Sequence, residues 1–224
     1  MVPVSWPCPL TGGGTGKELA LSCDSGRKHR LLIVPALFDE SNKLRRFTVE
    51  VMRRLDLAGI DSVLPDLPGC NESLQPLEAQ TPTCWLDAAS AAARHFGATH
   101  VLGIRGGSLF TPQSLPMFHY APVKAAAILR QMLRARILSA HEAGREESRE
   151  ALTQAAATYG VTLAGYQFGA DFYRGFEPMV PAATATLISQ EEIGGSGLWL
   201  RAEPDENPAQ ADALSTILVQ ALRT

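Results

Sequence analysis

The chain has 224 residues, enough for one domain with a sizeable core. Its 46% hydrophobic and 19% charged content is that of an ordinary globular protein, and a net charge of −3 gives no global case for nucleic-acid binding. No apolar run approaches the ~20 residues that cross a bilayer, and Cys8, Cys23, Cys70 and Cys84 form neither a C-x-x-C pair nor a zinc-site spacing.

The start, MVPVSWPCPLTGGGTG, lacks a basic segment followed by a long apolar one, so a cytoplasmic protein with reduced thiols is expected, with no metal and no cofactor. Charge is uneven along the chain. Residues 1–140 carry 15 Lys/Arg against 11 Asp/Glu, and residues 141–224 carry 5 against 12. The two halves are expected to complement each other within one fold.

Residues 1–29, rich in Gly, Pro and Ser, predict an irregular segment with at most a short strand near LALSC. RLLIVPAL (30–37) is a continuous apolar run, as in a strand buried on both faces. The next stretch, 41–59, predicts a helix capped by Ser41, with Leu44, Phe47, Thr48, Val51, Leu55 and Ala58 on one side and Gly59 at its stop. DSVLPDL (61–67) predicts a second strand, followed by the loop PGCNES. A second helix begins after Thr81, with Pro82 in its first turn and Gly97 past its end. HVLGI (100–104) is the third strand. Strand and helix alternate, which predicts an α/β fold with a mostly parallel sheet, right-handed crossovers and helices on both faces. Ligands in such sheets sit beyond the carboxyl ends of the strands, so the loops 35–42, 66–73 and 104–108 face one crevice.

The rest of the chain changes character. MFHYAPV (117–123) predicts a strand, and residues 124–178 predict a mainly helical cap inserted over the crevice. Within it, Lys124, Arg130, Arg134 and Arg136 lie off an apolar helix face; they are expected to be solvated, with membrane-surface contact through 124–136 the less favoured use. TATLISQ (184–190) and GLWLRAE (197–203) predict two more strands, and PAQADALSTILVQALR a closing helix. The single domain is thus expected over 30–224.

The third strand runs into Gly103-Ile104-Arg105-Gly106-Gly107. This G-x-?-x-G frame resembles the nucleophile elbow of the α/β-hydrolase superfamily, and the order of elements over about residues 30–222 resembles that superfamily too. VPALFDESNKLRR, DLPGCNES, GIRGGSL and HYAPVKAAAILRQMLRARI further resemble the bacterial hydrolase-like proteins of the exosortase A system, the "hydrolase 2" type. That resemblance implies an arginine at the elbow as a group character and a setting in exopolysaccharide production and surface-protein sorting.

The superfamily's triad runs Ser, acid, His along the chain. Here the elbow residue is Arg105. The histidines are His29, His95, His100, His119 and His141, and none follows the last predicted strand, where EPDENP stands instead. Glu191 and Glu192 are available at the acid's place. Nucleophile and base are both missing, which argues against serine-hydrolase chemistry because triad members act as a unit. Ser108 is expected to be a packing or capping serine.

Besides a structural partner that uses only the cap helix, two functions remain open from the residues. In one, the protein is non-catalytic and binds an anionic small molecule or an acidic partner. Arg105 supplies a planar fork at a helix N-terminus, Gly106 and Gly107 supply backbone N–H groups, and Leu37 and Phe38 form the rest of the old oxyanion cradle. Glu40 and Asn42 stand at the rim. In the other, the protein is an ester or thioester hydrolase or acyltransferase by a non-triad route, with Arg105 as electrophile and Glu40, Cys70 or His119 as acid, base or nucleophile. An internal salt bridge from Arg105 to Asp39, Glu40, Asp66 or Glu72 weighs against both.

Overall fold

The computed structural model describes residues 1–223. A hairpin of β1 (Val2–Pro9) and β2 (Thr15–Cys23) opens the chain, so the expected irregular segment is corrected to two paired strands. The signal was masked by Pro3, Pro7 and Pro9. An edge strand tolerates proline where its N–H side faces away from the ladder, and β1 is the edge of the main sheet.

The core follows as β3 (Arg30–Val34), α1 (Asp39–Leu57), β4 (Asp61–Pro65), α2 (Pro82–His95), β5 (His100–Ile104) and β6 (Met117–Tyr120). Then come α3 (Ala125–Glu142), α4 (Arg149–Tyr159), the hairpin β7 (Val161–Leu163) and β8 (Tyr166–Phe168), and α5 (Ala170–Phe176). The chain ends with β9 (Thr186–Ile188), α6 (Gln190–Ile193) and α7 (Pro208–Arg223).

Seven strands make one sheet in the order β1-β2-β4-β3-β5-β6-β9. From β4 to β9 all neighbours are parallel, while β1, β2 and β4 pair antiparallel. Alternation along β3 sends Leu32 and Val34 to one face and Leu31 and Ile33 to the other. On the first face α2 and the 125–176 layer bury Trp85, Phe110, Leu129, Phe168, Phe172 and Phe176. On the second, α1 and α7 bury Leu44, Phe47, Val51, Leu214 and Leu218.

Two boundaries differ from expectation. Helix α1 starts at Asp39, not after a Ser41 cap; Phe38 precedes it with φ 55° and ψ −131° and no side-chain cap. GLWLRAE is no strand: Leu198–Leu200 form one 3₁₀ turn after a glycine-rich segment, packed on α1. The β-favouring Leu-Trp-Leu sequence was outweighed because that turn, not an eighth strand, closes the second core.

Phe38 sits among Trp85, Tyr166, Phe168, Phe172 and Phe176, with ring centroids 5.0–6.5 Å away. Trp85 is fully buried and its indole N–H donates to the Pro68 carbonyl at 2.9 Å. Trp85→Ala should therefore lower unfolding free energy by about 3–5 kcal/mol, read from the midpoint of a urea titration.

Candidate functional site

In the sheet order, β3, β5 and β6 are adjacent and parallel, so their carboxyl ends lie side by side. Each of the three exits carries one non-glycine residue with positive φ: Phe38 at 55°, Arg105 at 52° and Ala121 at 43°. Such conformations cost about 1–3 kcal/mol each and persist only where surroundings over-determine them. Here one side chain ties the three exits together. The Arg105 fork donates to Glu40 twice, Nε to Oε2 at 3.1 Å and Nη2 to Oε1 at 2.9 Å. Its Nη1 donates to the Ala121 carbonyl at 2.8 Å. Trp199, carried by the 3₁₀ turn, lies over the guanidinium with its ring centroid 4.0 Å away. Only 14% of the Arg105 side chain and 15% of Glu40 remain exposed.

The arginine is thus engaged, and an anion expected at it would have to displace a bidentate carboxylate. The helix that was to supply N–H groups is also absent. Arg105–Phe110 is a 3₁₀ helix of six residues. The cradle is filled as well. A methyl on Gly106 would fall 2.9 Å from both Ile128 Cδ1 and Leu37 Cγ, and one on Gly107 would fall 2.2 Å from the Pro35 carbonyl oxygen. Gly106 and Gly107 are therefore close-packed against Leu37, Ile128 and the Pro35 carbonyl.

The other candidates do not converge on Arg105. Cys70 lies in the loop after β4, and burial, with the Asp66 and Glu18 carboxylates nearby, pushes its thiol up to about 12. It is no thiolate at neutral pH, which corrects its assignment as a nucleophile. His119 is buried on the opposite face of β6 from Tyr120, its Nε2 2.9 Å from Thr111 Oγ1, and burial lowers its pKa. It is a satisfied core histidine, away from the crevice. Among the described residues, no histidine contacts Arg105. Glu192 spends its carboxylate on the Ser189 N–H, capping α6. Ser108 Oγ donates to the Gly103 carbonyl at 3.0 Å within the core.

The charges of FDESNKLRR are paired rather than presented: Asp39 with Lys43 at 2.8 Å, Arg45 with Asp66 at 3.2 Å, and Arg46 with Glu206 at 2.8 Å. Arg136 of α3 is held by Glu147 through two bonds of 2.8 Å. Among the described residues no group of three or more His, Cys, Asp or Glu could hold a metal ion, and no helix is long and apolar enough to cross a membrane.

Open space remains on either side of Leu37 and Phe38. One cavity of about 140 Å³ lies toward α3, and one of about 230 Å³ lies toward Asn42, Cys70 and Asn71. Leu37, Phe38 and Asn42 thus line space that a ligand can enter. Sequence reasoning missed Trp199, Ala121 and Tyr166. Trp199 stood in a segment read as strand. Ala121 acts through its carbonyl, which no residue type announces. Tyr166 reaches the crevice only because the β7–β8 hairpin folds back over it.

No family model matches the chain, and no curated protein matches it. Among solved structures it is similar to a candidate hydrolase from Agrobacterium vitis S4, with TM-score 0.62 and 12% identity over 99% of this chain and 98% of that one. It is also similar to DcsB, solved with a substrate analogue, at TM-score 0.59 and 9% identity over all of both chains. A protein described as a CIB-like hydrolase from Thermoplasma acidophilum matches at TM-score 0.50 and 11% identity over 100% of this chain and 99% of that one. The chain has the α/β-hydrolase fold. Arg105 stands in the turn that leaves β5, and Trp199 stands in the 3₁₀ turn after α6.

Two measurements check this geometry. Glu40→Ala should destabilise the protein by about 1–3 kcal/mol because it strands a mostly buried guanidinium. The pair Glu40→Ala and Arg105→Met should cost less than the sum of the singles, which a double-mutant cycle in urea reads directly. Cys70 should react with iodoacetamide at pH 8 at least tenfold more slowly than free cysteine, since reactivity follows the thiolate fraction; mass spectrometry of the alkylated peptide gives the rate.

Proposed function

We propose that this protein is a non-hydrolytic member of the α/β-hydrolase fold that binds a ligand or partner segment in the inherited crevice without turning it over. The single observation that carries this is the closed Arg105–Glu40 pair at the elbow, with Trp199 laid over it. Nucleophilic catalysis needs a nucleophile, a base within reach and a group orienting the base. The elbow offers a cation whose donors are committed to Glu40 and Ala121, and no histidine adjoins it among the described residues. Fold alone supplies no chemistry.

The resemblance of the loop motifs to the exosortase-associated group supports a setting near exopolysaccharide production or surface-protein sorting. In that setting a binding protein of this fold would carry or present a molecule. The crevice beside Leu37 and Phe38 is the place for it, with Asn42 at its rim.

The test is turnover of a panel of short- and long-chain esters and thioesters, wild type beside Arg105→Ala and Glu40→Gln. No turnover above background is expected from any of the three. Turnover by the wild type that disappears in Arg105→Ala would make this an enzyme with an arginine-centred site and would overturn the proposal.

A further inference from the structure

The two cavities beside the elbow differ in chemistry. The one toward α3 is walled by Leu37, Val123, Ile128, Met132 and Ala135, which offer methyl and methylene surface. Its volume is about 140 Å³. The one beyond Phe38 presents Ser41, Asn42, Asn71 and the Tyr166 hydroxyl, all neutral hydrogen-bonding groups. Asn42 and Tyr166 both line it. Leu37 and Phe38 wall both cavities, which lie on either side of this loop.

Charge decides what that molecule can carry. Asp39 and Glu40 touch the apolar cavity, but Lys43 and Arg105 already hold them. Asp66 accepts from Arg45 and the Asn71 amide at Oδ1, leaves Oδ2 without a partner, and does not line the polar cavity. No charged side chain lines the polar cavity. A charged ligand would lose hydration there and find no unpaired counter-ion, which is the costly case for a buried ion. An uncharged head loses less and regains hydrogen bonds from amides and hydroxyls, the arrangement of small-molecule sites in which few polar groups fix orientation within apolar walls.

We propose that the crevice takes an uncharged amphipathic molecule, a short acyl or alkyl chain bearing a neutral hydroxyl or amide head, seated across the Leu37–Phe38 loop. The chain occupies the cavity against α3, and the head meets Asn42, Asn71 and Tyr166. This assignment rests on the crevice being a binding site, and it replaces the anionic ligand expected from Arg105.

The experiment is calorimetric titration of the full chain with acylglycerols from propanoyl to hexanoyl, beside hexanoate and hexyltrimethylammonium. Affinity for the acylglycerols should rise about fourfold per methylene. The two charged probes should bind at least tenfold more weakly than hexanoylglycerol. Ala135→Trp should flatten the chain-length dependence, and Asn42→Leu should weaken all acylglycerols while keeping it. Ala135 and Asn42 are both exposed, so neither change disturbs the core. Equal or tighter binding of either charged probe, or no saturation by any acylglycerol, overturns the proposal. Binding accompanied by hydrolysis of hexanoylglycerol upholds the ligand class and overturns the non-hydrolytic reading instead.

Discussion

One ion pair organises the carboxyl edge of the sheet. Glu40 comes from the exit of β3, Arg105 from the exit of β5, and the carbonyl that takes the remaining guanidinium bond from the exit of β6. Each exit turns through a residue with positive φ that is not glycine. Bidentate, charge-assisted bonds are among the strongest polar contacts available to a protein, and here they offset local backbone strain at three neighbouring turns. A hydrolase keeps this edge open for substrate. This chain ties three strand exits together with its own side chains and leaves space on either side of Leu37 and Phe38.

The closure redirects the rest of the site. Arg105 is paired with Glu40, the basic residues of α1 are paired, and the Cys70 thiol is pushed up by burial. What stays accessible is the ground on either side of Phe38, which the aromatic cluster beneath holds in a costly backbone conformation. Packing on one face of the sheet thus fixes the wall that divides the crevice, while α1 and the Trp199 turn on the other face fix the clamp.

Much of this was legible in the residues. Continuous apolar runs at 30–37 and 100–104 gave buried parallel strands, and Thr81 with Pro82 gave the start of α2, because those signals are local. The elbow was legible from two glycines around one residue, and Glu40 stood among four possible partners for Arg105. The N-terminal hairpin was hidden by its prolines, which an edge strand accepts. Trp199 and Ala121 were not readable: one depends on a long-range docking of a turn, the other on a backbone carbonyl. The sequence left Arg105 open between an anion site and an internal carboxylate, and folding supplies a carboxylate, Glu40, from within the chain.

The clamp itself is open to direct observation by nitrogen-15 NMR of the arginine side chains. The account predicts for Arg105 a slowly exchanging Nε–H signal and separate Nη signals from a guanidinium held against rotation, both lost in Glu40→Gln. A single rotationally averaged Arg105 signal with rapid solvent exchange in the wild-type protein, unchanged in that variant, would contradict it.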